Sequence, residues 1–164
     1  MKILFVCDSL YGNTQKIADI IHKELAILHN IDLINIADFT LDQLSHYDAL
    51  FIGAPTHAFR AKQETIDLLE SLEPKTIKDY PVLSFDTRIE LSTIKNRLWR
   101  WMVNKAGYAS PFINKQLKSK GANVLTKPKG FLVMDKEGPI KPGEIEKAKL
   151  WAKELIGILD TVAI

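Results

Sequence analysis

Residues 2–28 read as a strand, a polar turn and a helix in direct succession, and this junction limits what the rest of the chain can become. Ile3, Leu4, Phe5, Val6 and Cys7 are apolar at every position rather than at alternate ones. A strand with two apolar faces has to be buried between two layers, as in a parallel sheet covered by helices. The run ends in Asp8-Ser9-Leu10-Tyr11-Gly12-Asn13-Thr14, and Ile17, Ile20, Ile21, Leu25 and Leu28 follow close to a 3.6-residue period. Ser9, Tyr11, Asn13 and Thr14 therefore stand at a helix N-terminus. Unpaired N–H groups and the positive end of the helix dipole make that place an anion site. A plain cap with a turn glycine is the alternative reading of the same residues.

The alternation continues to the end of the chain. Strand-like runs recur at 31–36, 49–53 and 82–85, and at 124–125 continuing through 131–134. Helical patterns occupy 13–28, 63–72, 92–120 and 143–159. Such an order predicts an α/β fold with right-handed crossovers, a three-layer doubly wound five-stranded parallel sheet. With 164 residues, one domain spanning 1–164 is the expectation. Ligands of such sheets bind beyond the carboxyl ends of the strands, at the switch point.

Composition removes several classes. A net charge of +2 gives no argument for a nucleic-acid partner. One Cys and four His do not assemble a usual structural zinc site, so no metal is expected. A single cysteine makes no internal disulfide, which favours a cytoplasmic location. No run approaches the roughly 20 apolar residues of a membrane span, and a strand pattern starting at residue 2 takes the place of a signal-peptide layout.

The segments after strands one, three and four converge at one sheet edge. They read Ser9-Leu10-Tyr11-Gly12-Asn13-Thr14, then Gly53-Ala54-Pro55-Thr56-His57-Ala58-Phe59, then Phe85-Asp86-Thr87-Arg88. Here the chain resembles the flavodoxin family, which binds FMN through loops at these three places. The first loop is similar to that family's hydroxyl-x-hydroxyl-Gly-x-Thr phosphate loop, with Tyr11 in place of the usual second Ser or Thr. The second resembles a Gly-x-Pro-Thr version found in flavodoxin-like reductases. The third departs from the commonest glycine-rich form. Glu137-Gly138-Pro139-Ile140-Lys141-Pro142-Gly143-Glu144, leading into Trp151, resembles a subset of short flavodoxin-like proteins; by itself it reads as a turn before the last helix.

The resemblance implies strand order 2-1-3-4-5, bound FMN and no catalytic side chain. It implies cofactor contacts from Ser9, Leu10, Tyr11, Gly12, Asn13, Thr14, Pro55, Thr56, His57, Phe59, Phe85, Asp86, Thr87 and Arg88. Ser9, Asn13 and Thr14 supply the short hydroxyls and amides a phosphate wants. His57 is either a flavin contact or a solvated loop residue, and Phe59 either a ring contact or a core plug. Arg88 either reaches the flavin or pairs with Asp86 or Glu90. Other doubly wound readings fail on residues. A low-molecular-weight phosphatase loop needs an arginine six positions after Cys7, where Asn13 stands. A receiver domain needs paired acids, and Asp8 has no acidic neighbour. The Gly-x-Gly-x-x-Gly fingerprint of dinucleotide binding is absent.

Two functions compete within the flavin reading. Carrier flavodoxins are strongly acidic, and this chain is not. Carriers also favour the one-electron-reduced flavin by turning a backbone carbonyl toward flavin N5 at a positive-φ glycine. Residues 54–62 contain no glycine, and the same turn at His57 or Ala58 would cost on the order of 1 kcal/mol. Two-electron reduction of a small acceptor such as a quinone is the expectation; a one-electron carrier and a flavin-free interaction module are the alternatives. The sequence names neither electron donor nor acceptor, and it leaves self-association open. In 94–105, Ile94, Leu98, Trp101 and Met102 share a helical face, while Lys95, Arg97, Arg100 and Lys105 spread over the remainder. That segment reads as a lid, a docking or membrane-surface helix, or a helix packed on the sheet with Trp99 or Trp101 in the core.

Overall fold

The computed structural model describes residues 1–57, 60–90, 96–98, 101 and 107–162. Strand β1 (Lys2–Cys7) leads into α1 (Asn13–Leu25), then β2 (Asn30–Asn35) and 3₁₀ turns at Ile36–Asp38 and Leu41–His46. Next come β3 (Ala49–Pro55), α2 (Gln63–Ser71), a single-turn α3 (Pro74–Ile77) and β4 (Pro81–Ile89). The chain continues with α4 (Ala109–Ser119), β5 (Asn123–Val124), β6 (Lys129–Val133) and α5 (Glu144–Val162). All strand pairs are parallel, in the order β2-β1-β3-β4-β5, with β6 also paired to β4. This is the expected doubly wound 2-1-3-4-5 sheet.

Successive residues of β1 enter opposite cores, which is why the run is apolar throughout. Ile3, Phe5 and Cys7 pack with Ile17 and Ile21 of α1 and Trp151 and Leu155 of α5. Leu4 and Val6 pack with Leu68 and Leu69 of α2 and Ile113 and Leu117 of α4. On the α1/α5 side the aromatic rings form an edge-to-face chain. Phe5 meets Phe51 at 5.8 Å and Phe85 at 5.9 Å; Phe85 meets Phe131 at 5.7 Å and Trp151 at 6.2 Å. Gly53 pairs with Phe85 across β3 and β4, and a Cβ at position 53 would lie 2.5 Å from the Phe85 ring. Glycine is needed there for space.

Three elements differ from the sequence reading. The fifth strand is split: Val82 pairs Val124 and Phe85 pairs Lys129, so residues 125–128 face only 83–84. Pro128, lacking an N–H, lies in this interruption. Strand β4 runs on to Ile89, because Asp86 through Ile89 stay paired to β6. The helical pattern of 92–120 is not one helix: Tyr108 is extended (φ −112°, ψ 162°), and α4 starts after it. Of segment 94–105 only Asn96, Arg97, Leu98 and Trp101 are described; Trp101 is 56% exposed, so it is no core residue. Trp99 lies outside the described residues. Among them, no helix is long and apolar enough to cross a membrane.

Replacing Gly53 with Ala is expected to destabilise the fold by about 1–3 kcal/mol through overpacking against Phe85. Urea unfolding would show a lower midpoint with an unchanged slope; an unchanged midpoint would contradict the contact. Burial pushes the Cys7 thiol from 9.0 to about 12, with the Asp8 and Asp19 charges adding to it. The native state thus favours the neutral thiol. The associated stability is whole below about pH 9 and is lost as pH rises toward about 12. At about pH 8 a disulfide reagent should react with the unfolded chain and leave the folded one untouched. Rapid reaction of the native protein would contradict this.

Candidate functional site

After β1 the chain turns through Gly12, whose φ of +81° lies in the left-handed region. A Cβ there would meet nothing within 4 Å, so conformation rather than space calls for glycine. Lys16 N–H donates to Gly12 O at 3.0 Å and Gln15 N–H to Ser9 Oγ at 3.2 Å. Among the described residues, none of the N–H groups from Ser9 to Thr14 donates to a protein acceptor. A run of N–H donors is therefore left unengaged at the start of α1. The side chains expected beside them are engaged elsewhere. Asn13 Nδ2 donates to Glu137 O at 2.9 Å, and the Thr14 and Thr87 hydroxyls bond each other at 2.7 Å. Of those two hydroxyls one donates within the pair, which leaves the other O–H for a ligand.

The second loop is fastened on both sides. Thr56 N–H donates to Thr87 O, and the Thr56 hydroxyl accepts from Ala109 N–H at 2.9 Å. His57 and Arg60 exchange both backbone bonds, at 3.0 and 3.1 Å. Phe59 lies outside the described residues. At the far end of the loop, Lys62 Nζ donates to Asp8 Oδ1 at 2.8 Å, and the Thr65 hydroxyl donates to Asp8 Oδ2 at 3.0 Å. Asp8 is buried. Burial opposes the Lys62 charge, but the bond to Asp8 and its charge outweigh that and raise the Lys62 pKa. This pair ties the end of β1 to the start of α2.

The third segment is strand, and its side chains alternate. Thr87 and Ile89 face the same side as α1, while Phe85 points into the aromatic core and is fully buried. Asp86 and Arg88 lie on the opposite face. The Arg88 guanidinium grips Asp86 bidentately, Nε to Oδ1 at 2.5 Å and Nη2 to Oδ2 at 2.7 Å. Asp86 Oδ2 also accepts from Ser110 N–H at 2.8 Å. Burial pushes the Asp86 carboxyl up, against Arg88, Ser110 and Thr56, which favour its charged form. Arg88 stacks on the Tyr108 ring, 3.8 Å from its centroid, and a Cβ on Gly130 would collide with its guanidinium. The side chains of Phe85, Asp86 and Arg88 are thus committed to the interior, because β4 stays in the sheet where a loop was expected.

A cavity of about 350 Å³ opens at this edge. Leu10, Tyr11, Asn13, Thr14, Pro55, Thr56, His57 and Thr87, all expected at the site, line it. Ser9 and Gly12 shape the first loop without lining the cavity. Ile89, Tyr108, Val133 and Lys136 complete the wall and were missed. Topology carried their signal: every segment following a parallel strand reaches the same edge, including the one after β6.

The flavodoxin domain model matches residues 4–114, more than half of the sequence. The chain belongs to the flavodoxin family. Its fold is similar to a flavodoxin from the domain Archaea, with a TM-score of 0.75 and 17% identity over 100% of both chains. Oxidised flavodoxin 1 from Bacillus cereus is similar at a TM-score of 0.70 and 18% identity, covering 96% of this chain and 98% of that one. The rubredoxin:oxygen oxidoreductase of Desulfovibrio gigas shares the fold over 99% of this chain but 37% of its own, with a TM-score of 0.71 and 15% identity. No curated sequence matches. Membership gives FMN as the cofactor and electron transfer as the broad role of this flavodoxin-family chain.

The residues present fit that group. The cavity volume is in the range of small-molecule sites, and its wall is mostly apolar with Tyr11 and Tyr108 as aromatic surfaces. The unengaged N–H groups before α1 suit a phosphate.

Breaking the Asp86–Arg88 pair from one side should be more harmful than removing it. Asp86→Leu alone leaves a mostly buried guanidinium unmatched and is expected to cost about 3–5 kcal/mol, while Asp86→Leu with Arg88→Met recovers the part due to the stranded charge. Equal losses in urea unfolding of the single and double variants would contradict the pairing.

Proposed function

We propose that this flavodoxin-family protein binds FMN in the carboxyl-edge cavity and passes electrons in pairs to a small acceptor such as a quinone. One observation carries the reading: a partly apolar cavity abuts a row of unengaged N–H groups at a helix N-terminus. That combination suits a planar ring joined to a phosphate. The bound cofactor supplies the redox chemistry; the chain supplies position and surroundings. Ser9 to Thr14 hold the phosphate through their N–H groups, with Gly12 setting the backbone, while the Thr14–Thr87 pair adds a hydroxyl. Tyr11, His57 and Tyr108 bound the ring, and Pro55 and Thr56 keep the second loop stiff. Phe59 remains a proposed ring contact on sequence grounds.

The pairing of electrons rests on the second loop. His57 and Arg60 hold each other through reciprocal backbone bonds, and residues 54–62 lack glycine. Turning a peptide there to favour the one-electron state would break those bonds and impose left-handed backbone on a side-chain-bearing residue. The net charge of +2 also departs from the acidic carriers.

Titration with FMN should quench flavin fluorescence with a micromolar or tighter Kd. Potentiometric reduction should then follow a single wave of about 30 mV per decade. Two separated waves of about 59 mV per decade would make the protein a one-electron carrier. Absence of FMN binding would leave an interaction module of the same fold.

A further inference from the structure

We propose that Lys136 pairs with the cofactor phosphate, carried to the site by a turn that is locked onto the first residue of α1. The proposal rests on the FMN reading above and assigns a residue outside the three loops.

The turn is closed on itself. Met134 N–H donates to Pro139 O at 2.8 Å, Gly138 N–H to Asp135 O at 3.0 Å, and Lys136 N–H to Asp135 Oδ1 at 2.7 Å. It is also bolted to the phosphate loop. The buried Asn13 amide donates to Glu137 O, and Gly138 lies directly against that amide. A Cβ on Gly138 would come within 2.7 Å of both Asn13 terminal atoms, and its φ of +104° is left-handed as well. The left-handed backbone calls for glycine, and a side chain there would also push the Asn13 amide from its bond to Glu137 O.

This attachment puts Lys136 in the cavity wall, one residue from the Glu137 carbonyl that Asn13 holds at the start of α1. Among the described lining residues it is the one lysine or arginine, and no carboxylate joins it. The ammonium makes no ion pair among the described residues. A phosphate monoester carries about −1.5 to −2 at neutral pH. The helix terminus offsets about half a charge, so a nearby cation would add attraction beyond what the N–H groups and the free hydroxyl supply. A lysine, as a point charge on a flexible stem, meets it without fixed geometry.

Binding of FMN and of riboflavin, which lacks the phosphate, separates the roles. Lys136→Gln should weaken FMN about tenfold, leave riboflavin within about twofold, and flatten the salt dependence of FMN binding. Gly138→Ala, checked for folding by thermal melting, should weaken FMN similarly. Adding Lys136→Gln to it should change little, because both act through one contact. Unchanged FMN binding by Lys136→Gln, or an equal loss for both flavins, would overturn the phosphate pairing. Full additivity with Gly138→Ala would overturn the role of the turn. Failure of the unaltered protein to bind FMN would instead overturn the reading on which this rests.

Discussion

The ring of Phe85 lies over Gly53, and the placement of the site depends on that contact. β3 can carry the loop of Pro55, Thr56 and His57 beside β4 only because position 53 has no side chain where the ring sits. Phe85 in turn touches Phe5, Phe131 and Trp151, so it links β1, β4, β6 and α5 in one aromatic chain. Edge-to-face contacts of this kind add about 0.5–1.5 kcal/mol each beyond area burial. Two residues further along β4 on the same face, Thr87 meets Thr14 at the base of the cavity. Packing in the core thereby sets the height of the site.

The other face of β4 performs a different task with the same alternation. Asp86 and Arg88 form a buried pair that is costly to desolvate and has few ways to rearrange. The pair acquires a purpose through Tyr108, because the guanidinium lies flat against that ring, with Gly130 leaving room behind it. Asp86 also accepts from Ser110 N–H in the first turn of α4, so one carboxylate holds both the arginine and the helix that follows Tyr108. Tyr108 is therefore a cavity wall supported from behind by the Arg88 guanidinium.

Much of this was legible in the sequence for physical reasons. Runs apolar at every position, separated by helical periods, admit few arrangements besides a covered parallel sheet, and the observed order follows. The first loop was legible because hydroxyls, amides and a glycine at a helix start have a small set of uses. The tail of β4 was not, because Asp86, Thr87 and Arg88 look like a polar loop until their partners are known. Those partners, Thr14, Ser110 and Tyr108, lie many residues away and leave no local mark. Gly53 and Gly130 carry no local sign of their role, which is to leave room for Phe85 and Arg88 of the neighbouring strand. Lys136 and Tyr108 escaped for the same reason: the sheet brings them to the site, and no motif announces them.

The loops around the cavity are fastened to one another as well as to the sheet. Asp8–Lys62 joins the first to the second, Thr56–Ala109 joins the second to α4, and Asn13–Glu137 joins the first to the turn after β6. A site tied in this way loses little conformational freedom when it is filled, so binding energy is not consumed in ordering loops. It also has little scope to rearrange as the charge of its occupant changes. In such a cavity the surroundings of the cofactor are set by fixed groups: N–H donors at a helix end, aromatic walls and, among the described lining residues, a single lysine with no carboxylate beside it.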